Sequence, residues 1–387
     1  MGIVTQFLRR PQQLWARQLN LQVHLWAGII LAIYVVIIGI TGSVLVFGRE
    51  LDDILNPAPW PKIAGNTRLA NVSRVIDSLK ASYPHVHAIS LVAPTESEPA
   101  FIAELQLKGR TTVAFDPVRA FPLGEVRRRE SPLAWVYELH ENLFAGRNGR
   151  VANGIGAGSL LLLSLTGLVN WWPGLKSWPR ALRIDFRRRW RRVNFDCHSA
   201  FGFWSFSFLI VWSLSGIYFA WPEQCLSLVN RISPVVNARP PAIRVDPQDD
   251  VANLDFQSML RKSYSVAPGA TWKGIIFPSS RRSPFQILMS RSAGIGRDYE
   301  ETLFFNPYTG EYISTWQYDV KRSLGDWIIW LQAPLHFGTQ WGMAVKCVWA
   351  FAGLSLPVLA VTGLLMYWNR FLGKRWRSLR MAEAGNV

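Results

Sequence analysis

Four long apolar runs, at roughly residues 25–48, 152–172, 199–221 and 343–368, constrain this chain more than any other feature. Each reaches the ~20 residues that a helix needs to cross the hydrocarbon core of a bilayer. Core helices of soluble proteins seldom stay apolar for so long, so the pattern is that of an integral membrane protein. Composition agrees: of 387 residues, 49% are hydrophobic and 19 are tryptophan. The first run is too long for the core of a signal peptide. No small-x-small cleavage site closes it before Arg49-Glu50, so a retained spanning helix is expected.

Charge sets the expected orientation. Segments 1–23, 173–197 and 369–387 together hold 16 basic and 3 acidic residues, leaving only +3 of the formal +16 for the rest of the chain. The positive-inside rule makes that face cytoplasmic, with both termini inside. A basic chain can bind nucleic acid, but here the charge is confined to segments flanking the apolar runs. Topology determinants and lipid contacts explain it, and no nucleic-acid partner is expected.

The expected fold class is an integral membrane α-helical protein, internally duplicated, with four transmembrane helices and two outer α+β modules. The N-terminus and first helix cover 1–48, the first module 49–138 and the second helix 139–173. A basic loop follows at 174–197, then a third helix at 198–221 and a second module at 222–334. A fourth helix at 335–369 and a basic tail at 370–387 complete the chain. Each module has a helical stretch (Leu69 to Tyr83, Val251 to Tyr264) followed by short β-branched and aromatic runs. Each therefore reads as a helix on its own small antiparallel sheet.

Histidine placement carries the chemistry. His24 and His198 each open an apolar run, and seventeen residues later come Thr41-Gly42 and Ser215-Gly216. His140 and His336 each stand twenty-six residues before Thr166-Gly167 and Thr362-Gly363. Gly146 and Arg150 follow His140 at the offsets at which Gly342 and Lys346 follow His336. On the expected topology, His24 and His198 lie at the cytoplasmic boundary and His140 and His336 at the outer one. Two imidazoles facing each other at one depth can hold a haem iron from both sides. Gly28 and Gly202 lie one turn beyond His24 and His198 on the same face, leaving room for a flat macrocycle. Gly42 and Gly216 return that face at the outer depth, where a second haem fits.

Boundary histidines also serve as interfacial anchors, and helix glycines also mediate packing. The matched spacings weigh against that account. Zinc prefers four ligands, and each depth offers two histidines. Arg150 either snorkels to the interface or pairs with haem propionates; for Lys346, snorkelling is preferred. His85 and His87 have no counterpart in the second module and are read as solvated or satisfied. Cys197, Cys225 and Cys347 form no C-x-x-C-H, so covalent haem attachment is excluded, and buried thiols are preferred over a Cys225–Cys347 disulfide. No glycine-rich nucleotide loop is present, so no nucleotide or flavin site is expected.

The stretches H24-L-W-A-G, T166-G-L-V-N-W-W-P, H198-S-A-F-G and T362-G-L-L-M-Y-W resemble the PepSY-associated transmembrane-helix family over essentially the whole chain. The pieces ending A114-F-D-P and F305-N-P-Y-T-G resemble its PepSY modules, although the first reads D116-P-V-R-A in place of D-P-Y-T-G. Size and layout are most similar to FoxB-type di-haem inner-membrane reductases of ferric siderophores. The resemblance implies two non-covalent b-type haems on His24, His198, His140 and His336, and Fe(III) reduction on the periplasmic side of a bacterial inner membrane. A ferric siderophore, a quinol or cytoplasmic reductase as electron donor, and membrane lipid are the implied partners. Trp172, Trp327, Trp330 and Trp341 line the route or pack the core. The alternatives are a non-enzymatic ferric-chelate permease and a PepSY-type regulator of periplasmic proteins.

Overall fold

The computed structural model describes residues 9, 14–55, 69–84, 86–95, 98–106, 110–126, 131–236, 241, 243, 255–292, 298–317 and 321–373. His85 and the side chain of His87 lie outside the described residues. In chain order the elements are α1 (Trp15–Leu45), α2 (Gly48–Leu55), α3 (Val72–Ser82), β1 (His87–Val92), β2 (Phe101–Gln106), β3 (Arg110–Phe115) and β4 (Pro122–Val126). Then come α4 (Pro132–Asn142), α5 (Gly146–Trp171), α6 (Trp178–Ala181), α7 (Trp190–Ala220), α8 (Pro222–Ile232) and α9 (Phe256–Val266). The chain continues through β5 (Thr271–Ile276), β6 (Phe285–Ser292), β7 (Asp298–Phe305), β8 (Tyr312–Gln317), α10 (Leu324–Phe337) and α11 (Met343–Tyr367). A π-helical turn, Trp368–Leu372, extends α11.

Two compact units result: Met1–Gly48 with Pro132–Leu228 and Leu331–Val387, and Arg49–Ser131 with Val229–Trp330. In the first, α1, α5, α7 and α11 are long and apolar enough to cross a membrane. α1 packs against α11 and α5, and α7 packs against the same two, so α1 and α7 occupy opposite corners of a four-helix ring. The α1–α11 seam is built from small residues, which let backbones approach closely. A Cβ on Gly39 would come within 2.7 Å of Leu356 Cβ and 2.8 Å of Pro357 Cδ. Ser43 Oγ stands 3.0 Å from Ala350 O across the same seam. Val35, Leu160, Leu209 and Leu356, with Leu31, Tyr34, Trp212 and Leu359 against them, fill the middle of the ring.

Two of these helices start well before the apolar runs that revealed them. α1 begins at Trp15 and α7 at Trp190 because polar residues there find partners on the neighbouring helix. Asn20 Nδ2 donates to Thr166 O (2.9 Å), and Asn194 Nδ2 donates to Thr362 O (3.0 Å). In the loop before α7, the exposed Asp185 accepts from Arg188 Nε at 2.9 Å, which holds its carboxyl below the usual range.

The second unit departs from the expected pair of small sheets. It is a single eight-stranded antiparallel sheet, ordered β4-β3-β2-β1-β5-β6-β7-β8. The seam is β1 on β5, with Ser90, Leu91 and Val92 opposite Ile276, Ile275 and Gly274. Gly274 permits it, since a Cβ there would stand 2.7 Å from Leu91 O. α3 presents Val72, Val75, Ile76 and Leu79, and α9 Phe256 and Met259, to one core with Phe101, Phe115, Ile287, Leu303 and Phe305. Asn71 and Asp255 cap these two helices, each side chain accepting a backbone N–H at 3.0 Å. β4 and β8 are additional to the strands expected, and each follows a turn of one design. Asp116 Oδ1 accepts from the backbone N–H groups of Val118 and Arg119, as Asn306 Oδ1 does from Tyr308 and Thr309. Ala120 (φ 62°) and Gly310 (φ 72°) then occupy the same left-handed position.

Candidate functional site

The four histidines meet in two pairs within the bundle unit. His24 of α1 and His198 of α7 reach across the ring, with ring centres 6.3 Å apart and planes crossed at 83°. His140, near the end of α4, and His336, near the end of α10, stand 6.3 Å apart at 62°. All four are only partly buried. Mid-ring residues 31–35 and 209–212 separate the two levels along α1 and α7.

Short helices can present the second pair because the backbone reverses sharply after each. Leu143 (φ 53°), Phe144 (φ 59°) and Gly146 (φ 52°) turn α4 into α5, and Gly338 (φ 66°) and Gly342 (φ 83°) turn α10 into α11. Left-handed backbone favours glycine, which accounts for Gly146 and Gly342 at equal offsets from their histidines. The reversals are tied by side chains from the spanning helices. Asn153 Nδ2 donates to His140 O (2.6 Å) and Glu141 O (2.7 Å), Trp349 Nε1 to Leu335 O (2.9 Å), and Trp212 Nε1 to His336 O (3.2 Å).

Every imidazole has one nitrogen held by a hydroxyl. His24 Nδ1 lies 3.0 Å from Thr166 Oγ1, and His140 Nδ1 lies 2.9 Å from Thr41 Oγ1. Thus α1 and α5 brace each other's levels, α1 with Thr41 and α5 with Thr166. His198 Nδ1 lies 3.0 Å from Thr362 Oγ1, and His336 Nδ1 lies 2.7 Å from Ser215 Oγ, so α7 and α11 do the same. The direction of these bonds follows from donor counting. A hydroxyl has one proton. Each of the four spends it on the carbonyl one turn back: Ile37, Leu162, Val211 and Val358, at 2.6–2.7 Å. The oxygen must then accept from Nδ1–H. That fixes the tautomer and leaves Nε2 bare, the arrangement of a metal-ligating histidine with its supporting partner.

The glycines sort differently from expectation. A Cβ on Gly28 would meet only Leu163 Cδ2 at 3.8 Å, and one on Gly202 only Leu359 Cδ2 at 3.6 Å, so a methyl there would make ordinary contact. On Gly42 it would stand 3.0 Å from His140 Cε1. Gly42 therefore seats an imidazole and is not a gap for a macrocycle. Gly216 packs on α5, its Cβ position 3.0 Å from Ala157 Cβ. Gly167 and Gly363 play the Gly42 role for His24 (3.1 Å) and His198 (3.3 Å). The hydroxyl-glycine dipeptide was visible in the sequence at all four places. Its function was missed because helical spacing along one chain does not show which neighbouring helix it faces.

The spacing suits one metal ion held between the imidazoles of each pair. A metal–imidazole bond is about 2 Å, and a ring centre lies about 1.1 Å behind its nitrogen, so two imidazoles sharing one metal between them would stand about 6 Å apart. Both pairs are at 6.3 Å. No group of three or more metal-binding side chains forms among the described residues, which disfavours zinc. Arg150 pairs with Glu141, Lys346 is buried in α11, and Cys197, Cys225 and Cys347 are free thiols. Trp341 stands 6.0 Å from Trp349, Trp172 stands 6.2 Å from Trp171, and Trp327 and Trp330 pair at 5.5 Å.

Four membrane-type helices with two histidine pairs in their bundle unit, in one chain with an antiparallel α+β unit, define a membrane protein with PepSY-like modules. The chain belongs to the family of the PepSY-associated TM region, which it matches over residues 21–370. It is 25% identical over 266 residues to the uncharacterized protein PA4219 of Pseudomonas aeruginosa. That alignment covers 61% of this chain and 63% of the relative's length.

Proposed function

We propose that this protein is a di-haem b oxidoreductase of the bacterial inner membrane that reduces Fe(III) in a siderophore on the periplasmic side, releasing iron for uptake. The observation that carries the reading is the pair of imidazole pairs, each 6.3 Å between ring centres with every Nδ1 braced by a hydroxyl. In this reading the basic segments face the cytoplasm, the sheet unit lies in the periplasm, and the two halves descend from a duplication. Two non-covalent b-type haems supply one-electron couples at two membrane depths. His24 and His198 ligate at the inner level, and His140 and His336 at the outer.

With a histidine pair holding each haem, the group would supply electron transfer and not oxygen activation. Thr166, Thr362, Thr41 and Ser215 hold the rings in the ligating tautomer. The mid-ring side chains keep water and substrate out of the space between levels. One electron from a quinol or cytoplasmic reductase converts one Fe(III) of the bound siderophore to Fe(II). Ferrous iron is a poorer match for hard siderophore oxygens, so it leaves.

The test is optical. Protein purified from haem-replete cells gives a reduced-minus-oxidised spectrum of low-spin b-type iron at two haems per chain, and ferric siderophore reoxidises it. A colourless preparation sinks the proposal.

A further inference from the structure

The two helix pairs match closely until the cytoplasmic end of the first. There, Arg17 Nη2 donates to Asn170 O (2.6 Å), and Asn20 Nδ2 donates to Asn170 Oδ1 (2.9 Å) and to Thr166 O (2.9 Å). Both oxygens of Asn170 are therefore used. Left without a hydrogen-bond partner among the described residues are Arg17 Nη1, Asn170 Nδ2, Trp171 Nε1 and Trp172 Nε1, all buried atoms. All four are donors. A buried donor with no acceptor costs roughly 1–3 kcal/mol, more when charged, so such a group is retained where a ligand completes it. In the second half Arg191, Asn194 and Trp368 stand at the offsets of Arg17, Asn20 and Trp172, but Asn170 is replaced by Met366 and Trp171 by Tyr367. The Asn170–Trp171 part of the cluster belongs to one half only.

We infer that this cluster is a donor site that binds the carboxylates of the inner haem's propionates. The inference rests on the reading above. Arg17 calls for an anion, and a carboxylate accepts from several donors at once. Position agrees. Asn20 and Arg17 lie four and seven residues before His24 on one helix face, ~6 and ~10 Å along the axis. Asn170 lies one turn beyond Thr166, the hydroxyl that braces His24. Edge carboxylates of a macrocycle ligated at its centre span that distance. Trp171 stacks on Phe203 of α7 at 4.2 Å, which fixes the indole at the rim. One side of the inner site thus offers the amide and indole donors of Asn170 and Trp171, and the other has Met366 and Tyr367 in their places.

The experiment uses the full chain in nanodiscs, first shown to hold two haems. Arg17→Leu and Asn170→Met are compared with wild type by redox titration and by haem transfer to an apo-globin acceptor. The expected result is a fall in the midpoint of the haem held by His24 and His198, larger for Arg17→Leu, with the other midpoint unchanged. That haem also leaves about tenfold faster, the effect of one charge-assisted hydrogen bond at 1.4 kcal/mol per factor of ten. Arg17→Lys restores most of the potential. If Arg17→Leu does not fold, Asn170→Met carries the comparison, with the second haem as internal control for folding. Unchanged midpoints and transfer rates overturn the inference. So does loss of reduction by a short-chain quinol at unchanged potentials, which assigns the donors to a quinone carbonyl. So does a shift seen only in discs of anionic lipid, which assigns them to a lipid phosphate. Absence of haem from the wild type is a different failure, that of the proposed function itself.

Discussion

Thr166 illustrates how little material the candidate site needs at the residue scale. Its one proton goes to Leu162 O, so its oxygen is obliged to accept from His24 Nδ1. Replacing it with valine keeps the shape and removes the acceptor. Losing such a supporting partner typically costs 10–100-fold in metal affinity. Thr166→Val and Thr362→Val should therefore deplete the haem of the His24/His198 level, and Thr41→Val and Ser215→Ala that of the His140/His336 level. Haem occupancy by level, from spectra of the four variants, checks this, and equal loss at both levels in every variant would refute it. Glycines make a sharper contrast. Gly42→Ala puts a methyl 3.0 Å from His140 Cε1, while Gly28→Ala meets only Leu163 Cδ2 at 3.8 Å. The first should disturb the second-level haem through its ligand, and the second only a macrocycle seated over Gly28 at the first level, as optical titration of each haem will tell. These roles were hidden in the sequence because they are contacts between helices remote in the chain.

Elements of the sheet unit show what alternation and turn chemistry reveal and what they miss. The helices and inner strands were legible, since Phe101 to Leu105 and Phe285 to Met289 alternate around a buried face. The two edge strands were not. β4 starts on Pro122 and includes Gly124, residues that sequence logic assigns to turns, although both are tolerated on an edge. The joining of two expected sheets into one was also hidden, because backbone seams such as β1–β5 leave no side-chain signature beyond Gly274. The departure D116-P-V-R-A now has a physical meaning. Ala120 adopts the φ of 62° that Gly310 adopts at 72°, and its N–H still reaches Asp116 O at 3.0 Å, as Gly310 N–H reaches Asn306 O. The turn is kept and the left-handed alanine is strained. Left-handed backbone costs an L-residue roughly 1–2 kcal/mol, and glycine's extra unfolded-state freedom offsets part of the relief. Ala120→Gly should thus stabilise the sheet unit by up to ~1 kcal/mol, read from amide exchange in β3 and β4; slower unfolding elsewhere with no change there would contradict it.

At the scale of the whole molecule, the bundle was legible because apolar length and charge placement are one-dimensional signals. Histidine spacing was legible too: it pairs His24 with His198 and His140 with His336, the pairs that stand 6.3 Å apart. The early starts of α1 and α7 were not, because Asn20 and Asn194 look like loop residues until their partners on α5 and α11 are known. A strong test of the molecule's plan follows from the two levels being separate. Mid-ring side chains around Leu160, Leu209 and Leu356 fill the space between them. Each proposed haem would therefore depend on two histidines that are far apart in sequence and on no histidine of the other level. His24→Ala and His198→Ala should each remove the same haem, and His140→Ala and His336→Ala the other, leaving the partner haem with its wild-type midpoint. Retention matters as much as loss, because a bundle that simply misfolded would lose both. Loss of one common haem by His24→Ala and His140→Ala would break the two-level arrangement. The single-haem forms also separate the steps of transfer. Without the inner haem, chemically reduced protein should still be reoxidised by ferric siderophore from the periplasmic side, while reduction by quinol or a cytoplasmic donor should fail. If the form lacking the outer haem instead reduces the siderophore at the wild-type rate, electrons do not pass through His140 and His336.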